Sequence, residues 1–200
     1  MPLFFTKLKR AISNQDEYFL SHREEIARLS LTKMKLTSIF VVVVYLLFQV
    51  VSLILYHHLD LRLIYLIPIV LLAAFYPVSR CLYRRGMSRY VALQLPCLMQ
   101  IVTAAFLVLV DTAAAPGYSA VYTPLMIVVA PVLFYLPLRY EVFITAATYG
   151  GFLAMMYRFE EARFFESDFF LVTVSFGFSL AVLSMMVNMR YEKTRDVLQL

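Results

Sequence analysis

The sequence predicts an all-α, polytopic membrane protein. The expected form is a six-helix transmembrane bundle with both termini cytoplasmic and a C-terminal helix extending into the cytoplasm. Three observations predict this. Hydrophobic residues make up 62% of the 200-residue chain against 16% charged, and mean hydropathy is +0.77, outside the range of water-soluble domains. Uncharged runs long enough to cross ~30 Å of hydrocarbon recur along the chain. Basic residues divide unequally between the connecting segments. With both ends inside, all of the 18 Lys and Arg except Arg62, Arg158 and Arg163 lie on the cytoplasmic side, as the positive-inside rule requires. The net charge of +5 therefore reports topology and gives no reason to expect nucleic acid as a partner.

Residues 1–35 read as a cytoplasmic amphipathic segment. Phe5, Leu8 and Ile12 form an apolar edge beside Lys7, Lys9 and Arg10, suited to an anionic bilayer surface. Asn14 and Glu17 match a capping box that would start a second helix. Phe19, His22, Ile26, Leu29, Lys33 and Leu36 follow at helical spacing, either as a docking face for another helix or as a solvated linker. The charged lead-in is too long for a signal peptide, and no small-residue cleavage site follows the first apolar run.

The transmembrane domain covers 36–189, with spans expected at about 36–56, 63–78, 91–110, 121–138, 142–157 and 169–189. Pro68 should kink the second span by freeing the carbonyl of Ile64. Pro124, Pro131 and Pro137 punctuate the fourth. In the fifth, Ala146, Gly150 and Ala154 stand four apart, a helix-packing pattern that lets two backbones approach. Tyrosines near the span ends replace tryptophan as the interfacial belt.

The spans so drawn enclose no ionisable side chain, which argues against ion-coupled carriers, proton pumps and voltage sensors. Gln49, Gln94, Gln100 and Thr103 are the candidate ligand or packing residues. Interhelical hydrogen bonds and the lining of a small pocket both account for them. His57, His58 and Asp60 form the one metal-like cluster, but no second ligand pair is near in sequence, and an ordinary interfacial turn explains them better. The acidic loop at 158–168 reads as solvated. Cys81 and Cys97 cannot define a disulfide framework. With no nucleophile–base pair, phosphate loop, zinc motif or dinucleotide fingerprint, these 200 residues are not expected to be an enzyme, nor to hold a cofactor or metal.

The tail carries the strongest pattern. Leu183, Val187, Tyr191, Thr194 and Leu198 recur at spacings of four and three while Glu192, Lys193, Arg195, Asp196 and Gln199 fill the other face. No stop signal follows Arg190. Residues 190–200 thus begin a cytoplasmic coiled-coil helix, with Val187, Tyr191, Thr194 and Leu198 as its signal-transmitting stripe and a homodimer as the expected assembly.

This order of parts, EEIARLSLTKMKL leading into six short-looped helices and MRYEKTRDVLQL leaving them, resembles the N-terminal membrane region of bacterial GGDEF-type diguanylate cyclases. The resemblance spans the chain in layout and includes no catalytic motif. It implies a sensor domain of the bacterial plasma membrane that anchors and regulates a fused or associated cytoplasmic output domain in cyclic di-GMP signalling. Membrane regions of histidine kinases and class III adenylate cyclases share the layout. The alternatives are the small-molecule-binding subunit of an energy-coupling-factor vitamin transporter and a structural membrane scaffold. The first span lacks the Ala-x-x-x-Ala pattern of the transporter subunit, and the long lead and charged tail are surplus to it.

Overall fold

A computed structural model describes residue 19 and residues 21–57, 63–114, 120–133, 136–159 and 162–198, except for the side chains of 55, 56, 63, 64, 114, 131–133, 162–164, 184 and 187–198. The surface-helix residues Phe5, Leu8 and Ile12 and the Asn14–Glu17 capping box lie outside the described residues. So do His58 and Asp60 of the metal-like cluster.

The described elements are all helical, and they follow the apolar runs with shifted ends. Helix α1, Arg23–Tyr56, is one rod of 34 residues, about 51 Å long. Nothing in the sequence breaks it at position 35, so the expected boundary between lead segment and first span is not a structural one. Its end is set by His57, which adopts the left-handed conformation (φ 58°) and returns its N–H to the Leu53 carbonyl, a C-terminal αL cap.

Helix α2, Leu63–Arg84, contains both Pro68 and Pro77 and runs well past the expected 78. It stops at a Schellman motif. Gly86, at φ 76°, donates to the Tyr83 carbonyl, and Met87 reaches back to Leu82. Only glycine accepts that backbone angle without strain, so the basic connection shrinks to a tight turn.

Helix α3, Leu95–Leu109, is extended at both ends by π-helical turns, Tyr90–Gln94 and Val110–Ala114. Helix α4 is described over Tyr122–Leu133. Leu136 and Pro137 are non-helical, and the Pro137 ring would clash with the carbonyl four residues back if the helix ran on through it. Helix α5, Leu138–Phe159, then starts earlier than the expected 142: Pro137 accepts the first N–H bonds, from Tyr140 and Glu141. Helix α6, Ala162–Leu198, is continuous for 37 residues.

Four of these helices are long and apolar enough to cross a membrane: Arg23–Ile54, Tyr65–Arg84, Tyr90–Ala113 and Phe165–Leu183. Their outward faces carry the large apolar side chains a bilayer covers, among them Leu36, Phe40, Leu47 and Ile54 on α1 and Phe170 and Phe178 on α6. A water-soluble monomer does not present such a surface.

Two apolar clusters hold the bundle. The larger joins Ile26, Ala27 and Met34 of α1 to Leu72 and Phe75 of α2, to Val91 and Ala92, and to Met99, Met126 and Ile144. The buried face of α1 thus runs through Ile26, Ser30, Met34 and Ser38. Of the expected stripe, Phe19 and Ile26 are buried, whereas Leu29 and Leu36 point outward. The partner is α2 with the turn at 90–94, and small polar groups fix the register. Ser38 Oγ donates to the Leu72 carbonyl at 2.8 Å, and Ser79 Oγ contacts Met34 Sδ at 3.3 Å. The second cluster, Val108, Ala120, Ile127, Phe152, Met156 and Val172, closes the opposite end. There Tyr149 stacks on Phe176 and shares a hydrogen bond with Thr173.

Candidate functional site

The most unusual chemistry sits where the α4–α5 break meets the middle of α3. Leu136, Pro137 and Leu138 are all buried, so the non-helical residues 136 and 137 are sheltered by protein. By turning there, the chain carries Glu141 inward on the first turn of α5. Glu141 is 1% exposed, and its Oε2 accepts a 2.9 Å hydrogen bond from Nε2 of Gln100, which is 0% exposed. Gln100 lies ten residues along the helix from Tyr90, about 15 Å in. The pair therefore belongs to the interior of the bundle.

This revises an expectation. Position 141 read as part of a short charged turn, and the bundle interior as free of ionisable groups. The fold places a carboxyl group inside, so the argument against classes needing such a group at depth loses its ground. The signal available in the sequence was the pairing of Pro137 with an acidic residue four positions on, the start of a helix that favours a carboxylate in its first turn.

Buried oxygens without a hydrogen-bond partner occur on the same two helices. Gln100 Oε1 and the hydroxyl of Thr145, 3% exposed, have no hydrogen-bond partner. Thr145 follows Glu141 by one helical turn, on the same face. Cys97, half-buried, precedes Gln100 by one turn.

The remaining sequence candidates fall elsewhere. Gln49 is buried on α1 and makes polar contacts there. Gln94 is exposed. Thr103 turns back on its own helix, donating to the Met99 carbonyl. Only Gln100 of the four joins the site. Ala146, Gly150 and Ala154 are exposed on α5, and open space surrounds the position a Gly150 Cβ would take, so this stripe packs against no described helix of the chain. The side chains of Val187, Tyr191, Thr194 and Leu198 lie outside the described residues, while the backbone helix that carries them continues to Leu198.

Sequence reasoning also missed a pair of carboxylates at the other end of the bundle. Asp111 accepts the backbone N–H groups of Val121 and Tyr122, both at 3.3 Å, and that of Thr123. Asp168, 0% exposed, accepts the Ala120 N–H at 2.6 Å. The two acids read as loop residues, yet both are buried and together satisfy the free donors at the start of α4. Their negative charge also meets the positive end of that helix. No local spacing reveals this, because the donors and acceptors are 10 to 48 residues apart. Among the described residues no three His, Cys, Asp or Glu side chains group as metal ligands.

Compared with known proteins, the chain matches no family model, no curated protein and no solved structure.

Proposed function

We propose that this chain is the membrane-embedded input domain of a bacterial plasma-membrane signalling protein. It would anchor and regulate a cytoplasmic output domain, for which a diguanylate cyclase is the first choice from the layout. The observation carrying this reading is α6. Its apolar window ends at Leu183, and the same unbroken helix continues to Leu198, about 22 Å further. A helix that leaves the bilayer without a break transmits rotation or displacement to whatever is joined to it.

Six crossings with both termini in the cytoplasm remain the proposed topology. The start of α4 is tied to Asp111 and Asp168, and the end of α5 packs through Met156 on Val108 and Val172. The α4–α5 pair thus begins and ends at one side of the bundle. The chain thus returns through this pair to the face it left, and in the proposed topology both termini lie on one side.

The test joins residues 1–198 to a diguanylate cyclase catalytic domain and inserts residues beside Asn188. One inserted residue should change cyclic di-GMP output sharply, and four, about one turn, should partly restore it. Equal behaviour of the two insertions would defeat the mechanism. A second reading, the small-molecule-binding subunit of a transporter, is favoured by one observation, the buried Gln100–Glu141 pair. A ligand-binding screen on the purified protein separates the two.

A further inference from the structure

Gln100 of α3 and Glu141 and Thr145 of α5 are buried, oxygen-bearing side chains. Glu141 and Gln100 are joined at 2.9 Å. The carboxamide oxygen of Gln100 belongs to the same planar group as the bonded nitrogen, so it lies within a few ångströms of the carboxylate. Thr145 brings a hydroxyl from one turn along the same helix face. All three side chains are at least 97% buried, and both Gln100 Oε1 and Thr145 Oγ1 have no hydrogen-bond partner. A buried amide or hydroxyl oxygen left without a partner is costly, so these two, on facing helices, point to something that they bind.

We propose that Gln100, Glu141 and Thr145 form a binding site for an alkali-metal cation. The donor set is hard oxygen throughout, which suits such ions and gives soft metals nothing to hold. The neighbouring thiol of Cys97 is a poor ligand for a hard ion and adds no charge while protonated. The site supplies one formal negative charge, which matches a monovalent ion. Calcium sites gather six to eight oxygens, usually with several carboxylates. Position adds a mechanical consequence. An ion shared by α3 and the first turn of α5 ties the α4–α5 break to the centre of the bundle, so occupancy fixes how these helices sit. The inference stands apart from the output domain and holds for a sensor or a carrier alike.

The experiment measures thermal unfolding of the purified full chain in detergent at constant ionic strength, replacing choline chloride with sodium chloride. The midpoint should rise saturably, by about 5–10 °C once sodium reaches a hundredfold above its Kd. Glu141→Gln keeps the shape and the hydrogen bond to Gln100 and should abolish the sodium response. Thr145→Val should weaken apparent sodium affinity about tenfold, and it decides the matter alone if Glu141→Gln does not fold. A midpoint indifferent to sodium overturns the proposal and assigns the unpartnered oxygens to water. So does an unchanged sodium response in Thr145→Val, or a midpoint that follows pH and ignores sodium.

Discussion

Replacing Asp111 with alanine should detach the start of α4 from the end of α3. The magnitude follows from the contacts. Three N–H groups, of Val121, Tyr122 and Thr123, converge on this one carboxylate. Thr123 is 0% exposed, so its donor would be stranded, at about 1–3 kcal/mol. Val121 and Tyr122 are exposed residues, and their N–H groups can recover water at little cost. Losing the charge at the helix start adds about 0.3–1 kcal/mol. The expected total is about 1.3–4 kcal/mol, or roughly 3–16 °C in the unfolding midpoint of a chain this size. Asp168→Ala strands the single Ala120 N–H and should cost about 1–3 kcal/mol. Glu166→Ala, on an exposed neighbour, should stay within ~0.5 kcal/mol. Midpoints from thermal unfolding in detergent rank the three, and hydrogen exchange at the Thr123 amide locates the loss. If Asp111→Ala were as mild as Glu166→Ala, with Thr123 still protected, the cap would carry none of the stability assigned to it.

Other outcomes follow from burial and backbone geometry. Met34→Ala, removing a side chain 1% exposed, should cost about 2–4 kcal/mol, while Leu36→Ala on the outward face should leave the unfolding midpoint unchanged; equal effects would place the docking face of α1 wrongly. Gly86→Ala should lose about 1 kcal/mol by forcing a Cβ into the left-handed region, measurable as a shift of about 2–4 °C. A maleimide probe should label the exposed Cys81 within minutes and leave the half-buried Cys97 largely unreacted in the folded protein, as mass spectrometry of the two cysteine peptides would show.

The helices were legible where composition alone decides them. Uncharged runs announced α1, α2, α3 and α6, and a helical pattern without stop signals announced the continuation of α6 past Arg190. Helix ends were less legible, since local chemistry competes there. Gly86 ends α2 by a backbone conformation, and Pro137 breaks the apolar run at 121–138, which hydropathy reads as continuous. The site was half legible. Gln100 stood out as a polar group amid apolar residues, but its partner came from a charged turn that hydropathy assigns to water. Asp111 and Asp168 were hidden for a related reason. An acidic residue beside a loop looks solvated until the fold shows which N–H groups it faces. The small-residue stripe at Ala146, Gly150 and Ala154 shows the converse. Spacing identifies a surface able to pack closely, yet it does not say whether that surface turns toward the same chain.

The length of α1 has a mechanical consequence. At about 51 Å, Arg23–Tyr56 acts as a lever that cannot bend at the membrane boundary, with a fulcrum near Ser38, where its side chain is fastened to the Leu72 carbonyl of α2. Tilting the lever by ~10° about that point would swing its two ends in opposite directions by about 4–5 Å each. A small displacement beside Gln49 would then reappear, inverted, at Ile26. The contact there with the end of α2 and the turn at 90–94 would have to slide or open. In the proposed sensor, work done within the hydrocarbon would then reach the cytoplasmic face through α1 as well as through α6.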